Sequence, residues 1–238
     1  MKKSIFILII SAIIITSIVL TGCSSDNSST EQEKISATDQ TNAEIQSDIS
    51  VDNTNAKSLV IYFDYSENID TSGMDVDAIS SATLREAAND SNTGKLKMMV
   101  EEIRNLKGAD VFSIQVNEVY PPKYDDMVGQ AQQDIIDNKQ FTFKTELTDL
   151  DDYDTIYFGT PVWWSELPQP VHVFFQQYDF SGKTIIPFGV HRGSGFGKTV
   201  NQMKEYEPDA TFIEGKTIEA DGDNDEAKAE FDRFLNAL

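Results

Sequence analysis

The chain has 238 residues and a single cysteine, so no internal disulfide can form. Histidine is nearly absent too: His172 and His191 are too few for a histidine metal cluster. Basic residues are scarce, with 19 lysines and arginines against 40 aspartates and glutamates and a formal net charge of −21. Nucleic-acid binding needs clustered lysine and arginine to meet phosphates, so that class is excluded. The acidic balance favours solubility and basic partners, and it is repelled by the anionic face of a membrane. No internal repeat and no sign of a second domain are found in the sequence.

What is present begins with MKKSIFILIISAIIITSIVLTGCSS, two lysines followed by an apolar run from Ile5 to Leu20. This pattern reads as an export signal rather than as structure. The rival is an uncleaved transmembrane anchor, although the run is slightly short for a span. Both readings place the rest of the chain outside the cytoplasm. The end of the segment, Leu20-Thr21-Gly22-Cys23, resembles the lipobox of bacterial lipoproteins. That resemblance implies a signal peptide over 1–22, a lipidated Cys23 as first mature residue, and anchoring to the cell membrane. Residues 23–56 then form a polar linker with almost no large apolar side chains, predicted to be a disordered tether.

From residue 57 to 238, apolar strand-like runs alternate with segments of helical spacing. SLVIYF (58–63), ADVFSIQV (109–116), TIYF (155–158), KTIIPF (183–188) and 210–218 read as five strands. Helices are expected from about 92 to 106, 120 to 137, 168 onward, 198 to 206 and 223 to 238. Gly108 closes the first, Pro168 and Pro170 open the third, and acidic residues at the start of the last suit the helix dipole. Such alternation predicts an α/β fold with a parallel sheet between two helical layers. An irregular insert over about 69–91 separates the first strand from its helix and is longer than ordinary βα loops.

The segment YDTIYFGTPVWWSELPQP organises the rest. Gly159, Thr160 and Pro161 are expected to stop a buried strand, which puts Trp163 and Trp164 in the loop beyond its carboxyl end. Open α/β sheets bind ligands in that crevice, and indole rings there would stack on a flat aromatic ligand. The alternative is that both rings pack back onto the neighbouring helix. A second loop, HRGSGFGKT, nearly spells a phosphate-binding P-loop, but Arg192 stands where that motif needs its first glycine. Ser194 fails as a nucleophile elbow, because Arg192 and Phe196 occupy the required glycine positions. His191 remains a candidate ligand-loop residue, and His172 reads as structural.

Together, YDTIYFGTPVWWSELPQPV and FSGKTIIPFGVHRGSGFG resemble the bacterial flavodoxin-like family, and the resemblance covers 57–238. It implies a three-layer sandwich with a five-stranded parallel sheet, order 2-1-3-4-5, and flavin mononucleotide (FMN) at the switch point. By the same resemblance Trp163 or Trp164 walls the flavin, and Pro161 and Val162 lie under its ring. Gly193, Ser194, Gly195 and Phe196 offer backbone to the ring edge. Family members carry a hydroxyl-rich phosphate turn after strand one, ending in Gly-Asn-Thr. Here the turn is Asp64-Tyr65-Ser66-Glu67-Asn68, and Asn92-Thr93 follows only after the insert. Ser66, Asn68, Asn92 and Thr93 are therefore the expected cradle. Asp64 stands where a serine is common, and its carboxylate must turn away from a phosphate. Within the insert, DAISSAT (77–83) looks like the signature of exported proteins that attach FMN covalently to threonine, here Thr83, with serine replacing a glycine.

The resemblance implies an FMN-binding, lipid-anchored electron-transfer protein working with an unidentified redox protein or small-molecule partner. An FMN-dependent quinone or NAD(P)H reductase is the alternative among enzymes, although no nicotinamide-binding fingerprint is present. A cofactor-free binding module on the same fold is the alternative outside them.

Overall fold

A computed structural model describes residues 57–69 and 94–238. The export segment with Cys23, the linker, most of the insert with Thr83, and Asn92 and Thr93 lie outside the described residues. Within them the chain runs β1 (Ser58–Tyr62), α1 (Lys95–Lys107), β2 (Asp110–Ser113), α2 (Tyr124–Ile136), β3 (Thr155–Pro161) and α3 (Gln169–Gln177). It continues through β4 (Thr184–His191), α4 (Thr199–Tyr206), β5 (Thr211–Phe212), β6 (Lys216–Glu219) and α5 (Asn224–Ala237).

The strands form one parallel sheet in the order β2-β1-β3-β4-β5, with β6 also paired to β4. This is the 2-1-3-4-5 order expected from the sequence. Successive β1 side chains face opposite sides of the sheet. Leu59, Ile61 and Phe63 join α2, α3 and Met203 of α4 in one core. Val60 and Tyr62 join α1 and α5 in the other. Gly108 ends α1 in the left-handed region at φ 66°, and Asp223 caps α5 by accepting from the Glu226 amide.

Two strand expectations need correction. Gly159, Thr160 and Pro161 do not stop β3 but belong to it, paired with Phe188, Gly189 and Val190. Gly159 persists because the Phe188 ring lies over its Cα, in the space a side chain would fill. Pro161 is tolerated because its edge without an N–H faces past the end of β1. The Gly159 carbonyl, two residues earlier on that edge, takes the amide of Phe63, one residue after β1 ends.

The predicted fifth strand, 210–218, is two strands rather than one. β5 pairs with Thr184 and Ile185, and β6 with Phe188 through His191, leaving Ile186 and Pro187 unmatched between them. The carbonyls of Lys183, Ile185 and His191 accept from this side, so the alternate residue Pro187 turns its edge without an N–H the same way. A proline inside a central strand forfeits one ladder bond, and the neighbouring strand breaks at that level.

Candidate functional site

Three loops leave the carboxyl edge of the sheet and meet. The first follows β1, where Asp64 caps a single 3-10 turn over Tyr65–Glu67. Asp64 is fully buried, and its Oδ1 accepts from the Ser66 amide at 2.8 Å and the Ser66 hydroxyl at 2.9 Å. Asn68 is also fully buried. Its Nδ2 donates to the Asp64 and Ile114 carbonyls at 2.7 and 3.1 Å, and its Oδ1 accepts from the Val116 amide at 2.8 Å. Of the four residues expected to form a phosphate cradle, Ser66 is thus engaged inside its own turn, and Asn68 is committed to Asp64 and to the segment after β2. Asn92 and Thr93 lie outside the described residues.

Glu67 in the same turn accepts from the Tyr62 hydroxyl at 2.7 Å, from the Lys97 ammonium and from the Ser113 hydroxyl. This knot ties the loop to β1, α1 and β2. Burial raises the Glu67 pKa, but the three donors outweigh it and hold the carboxyl below its usual value. Burial is also the main cause pushing the Tyr62 phenol up to about 12.

The second loop is a tight hairpin after β3. Trp163 and Glu166 exchange both backbone bonds, at 3.1 and 2.8 Å, around Trp164 and Ser165. Both central residues have positive φ, 50° and 65°, the pattern of a type I′ turn. Asn-Gly is the usual pair there, so Trp-Ser holds the turn at a cost of about 1–2 kcal/mol per left-handed residue. The turn sends its two indoles different ways. Trp163 packs inward, 5.8 Å from Phe63, 6.3 Å from Tyr65 and 5.5 Å from Tyr120. Trp164 stays 45% exposed at the rim, 6.3 Å from Trp163.

The third loop follows β4. Gly193, Gly195 and Gly197 all have positive φ, 85°, 56° and 53°. The Gly193 amide donates to His191 Nδ1 at 2.9 Å, which leaves the imidazole proton of the neutral ring on Nε2. Among the described residues the amides of Ser194, Gly195 and Phe196 have no acceptor, which leaves them available to an electron-rich ligand edge.

The second and third loops are fastened to each other. The Lys198 amide donates to the Ser165 carbonyl at 2.6 Å, and the Lys198 ammonium pairs with Glu166 at 2.6 Å. A Cβ on Gly197 would stand 2.5 Å from the Ser165 carbonyl oxygen, so the two backbones approach as closely as glycine alone permits. Val162 joins this contact through its amide, which donates to the Val190 carbonyl at 2.9 Å, while Pro161 ends β3 beneath it. His172 lies elsewhere, half-buried on α3 with Nδ1 3.1 Å from the Tyr206 hydroxyl, and burial lowers its pKa.

Sequence reasoning missed several residues that shape this rim. Lys95, at the first position of α1, is buried and donates to the Ala220 carbonyl at 2.9 Å and to the Gly222 carbonyl, pinning the turn before α5. Arg192 pairs with Asp221 at 2.9 Å. A lysine at a helix start opposes the dipole, and that misplacement was the one local signal. Among the described residues, no group of three or more His, Cys, Asp or Glu could hold a metal, and no helix is long and apolar enough to cross a membrane.

Comparison with known proteins places this geometry. A flavodoxin family model matches residues 85–234, more than half of the chain. A putative flavoprotein from Bacteroides uniformis ATCC 8492 is 22% identical with a TM-score of 0.53, covering 74% of this chain and 97% of its own. A putative flavoprotein from Bacteroides eggerthii DSM 20697 is 21% identical with the same TM-score, covering 76% and 99%. At such identity these two likenesses speak for the fold. No curated protein matches the chain.

Proposed function

The chain belongs to the flavodoxin family, and from that premise we propose that it binds FMN at the carboxyl edge of its sheet and acts in electron transfer outside the cytoplasm, tethered by a lipidated Cys23. One observation carries the flavin reading: the exposed Trp164 indole and the unbonded amides of Ser194, Gly195 and Phe196 belong to two loops fastened backbone to backbone. An isoalloxazine ring needs both, a stacking face and donors at its electron-rich edge. Trp163 acts from beneath, holding the hairpin that presents Trp164. FMN would supply the redox chemistry, and the protein's part is to orient the ring and set its electrostatic surroundings. The fit is good for the ring. For the phosphate, the turn after β1 already spends the Ser66 donors on Asp64, so Asn92 and Thr93 are left to hold that group.

The net charge of −21 sets the expected direction of the couple. A carboxylate-rich surround disfavours an added negative charge on the ring, so the potential should lie below that of free FMN. A redox titration placing it well above free FMN would refute this electrostatic account. The partner should be basic or neutral, because like charges slow encounter.

A second reading, a flavodoxin-fold binding module without cofactor, draws on the same Asp64–Ser66 closure. One experiment separates the two. The domain from about Lys57 onward is purified, FMN or riboflavin is added, and flavin absorbance and fluorescence are followed. Saturable binding with quenched flavin fluorescence supports the first reading. A colourless protein indifferent to both flavins supports the second. Oxidation of NADH with a quinone as acceptor tests for the reductase activity that the family also permits.

A further inference from the structure

Beneath the rim, Tyr120 carries a hydroxyl that the proposed flavin site does not use. Its side chain is fully buried, and among the described residues its hydroxyl has no hydrogen-bond partner of good geometry, the Asp134 carboxylate being the group it interacts with. The same holds for Oδ2 of Asp134, a carboxylate buried on α2. Leaving two polar oxygens in the core without partners is costly. Asp134 is held by Lys139, whose ammonium lies 3.2 Å from Oδ1 and 4.5 Å from the centre of the Phe141 ring. Phe141 in turn lies 6.1 Å from Tyr120. Burial first, and the facing charge of Asp134 second, hold the Tyr120 phenol far above its ordinary pKa.

A line of oxidisable rings leads from solvent to this pair. Trp164 at the rim is 6.3 Å from Trp163, and Trp163 is 5.5 Å from Tyr120, nearly perpendicular at 89°. Two other rings touch Trp163, but neither ends the line as well. Phe63 has no hydroxyl. Tyr65, at 6.3 Å, donates its hydroxyl to the Pro121 carbonyl, a far weaker base than a carboxylate.

We propose that Trp164, Trp163 and Tyr120 form a relay that carries an electron hole inward from the rim, with Asp134 as its proton acceptor. The oxidant is a one-electron radical species reaching Trp164. It takes one electron from the indole and is itself reduced by one electron. Trp163 gives an electron to Trp164, and Tyr120 gives one to Trp163. As Tyr120 loses its electron, its O–H bond breaks and the proton bonds to Asp134 Oδ2. Both indoles are restored, and the end state is a neutral tyrosyl radical beside a neutral carboxylic acid. Moving the proton with the electron avoids a phenol radical cation in an apolar pocket, where an added charge is strongly disfavoured. One electron from any reductant reverses every step. The relay protects the exposed indole of the ligand site from oxidation, and it operates with or without a bound flavin.

The test uses the full chain with no flavin added, so its outcome does not depend on the cofactor. Ruthenium tris(bipyridine) with persulfate is flashed in its presence. Tryptophanyl radical is followed by visible absorption and tyrosyl radical by electron paramagnetic resonance. The tryptophanyl signal should decay as the tyrosyl signal grows, more slowly in heavy water. Tyr120→Phe keeps the ring and removes a single hydroxyl, so the fold should persist while the tryptophanyl lifetime lengthens several-fold. Asp134→Asn should lengthen it too, with Tyr120 intact, and should abolish the heavy-water effect. An unchanged tryptophanyl lifetime in Tyr120→Phe overturns the proposal. So does a wild-type trace in which no tyrosyl signal grows as the tryptophanyl signal decays, whatever the variants do.

Discussion

Gly197→Ala probes the fastening between the hairpin and the glycine loop. Two costs act at this position. The residue sits at φ +53°, where an alanine costs about 1–2 kcal/mol relative to glycine. The new methyl would also stand 2.5 Å from the Ser165 carbonyl oxygen, 2.6 Å from its Cβ and 2.7 Å from its Cα. None of these atoms ends a flexible side chain, so relief requires the hairpin backbone to move, and overpacking of this kind costs about 1–3 kcal/mol. Gly195→Ala separates the two terms, because Gly195 has nearly the same φ, +56°, with nothing within 4 Å of the new methyl. Guanidinium unfolding of both variants, with slopes checked for equality, gives the difference directly. Gly197→Ala should be the less stable by about the packing term alone, ~1–3 kcal/mol. It should also shift Trp164 fluorescence, since the displaced hairpin carries that ring. Equal destabilisation of the two variants would show that the hairpin yields freely, and the rigid clamp between the loops would be wrong.

Asn68→Ala should be among the most damaging single changes, leaving the Ile114 carbonyl and the Val116 amide without partners at about 1–3 kcal/mol each, while the Asp64 carbonyl keeps the Glu67 amide; Asn68→Asp, which cannot donate, should fail nearly as badly in a denaturant titration. Glu67 has a folded pKa below 4.5, so its contribution is present above that value and is lost as pH falls through the folded pKa. Glu67→Gln should flatten the acid limb of the stability curve. Tyr62 runs the other way. Its phenol is raised from 10.0 to about 12, so its contribution is intact below pH 10 and is lost as pH climbs toward about 12, which an ultraviolet phenolate titration against Tyr62→Phe will register. Glu207 is raised above 4.5, mainly by burial, so the fold favours its neutral acid and loses stability as pH rises from 4.5 toward the folded value. Glu207→Gln retains an acceptor for the Phe180 amide and should raise the melting temperature at neutral pH, and a lower one would refute the assignment.

The sheet order was legible because each strand is a compact apolar run and each helix keeps its spacing. Val60 and Ile61 could hardly be other than a buried strand. The split of the fifth strand was hidden, because its cause, Pro187, lies on the neighbouring strand and acts across the sheet. Trp163 and Trp164 were legible as a rim feature but not as one inward and one outward ring. That division comes from a Trp-Ser turn with positive φ, which the sequence alone does not announce. The commitment of Asn68 was likewise hidden, since its partners at Ile114 and Val116 are remote in the chain. Gly197 was read as part of an open loop, yet its importance lies in what it touches, the backbone of Ser165.

The seam opposite Pro187 has a consequence for how the molecule breathes. Below it, β5 holds only Thr184 and Ile185, and above it β6 grips the half of β4 that leads into the glycine loop. With the ladder interrupted, an opening at the bottom corner need not propagate upward. Amide exchange should therefore find Ile213 unprotected well before Ile218, with the upper half held by α5 through Phe231 and Leu235 long after the lower corner has frayed.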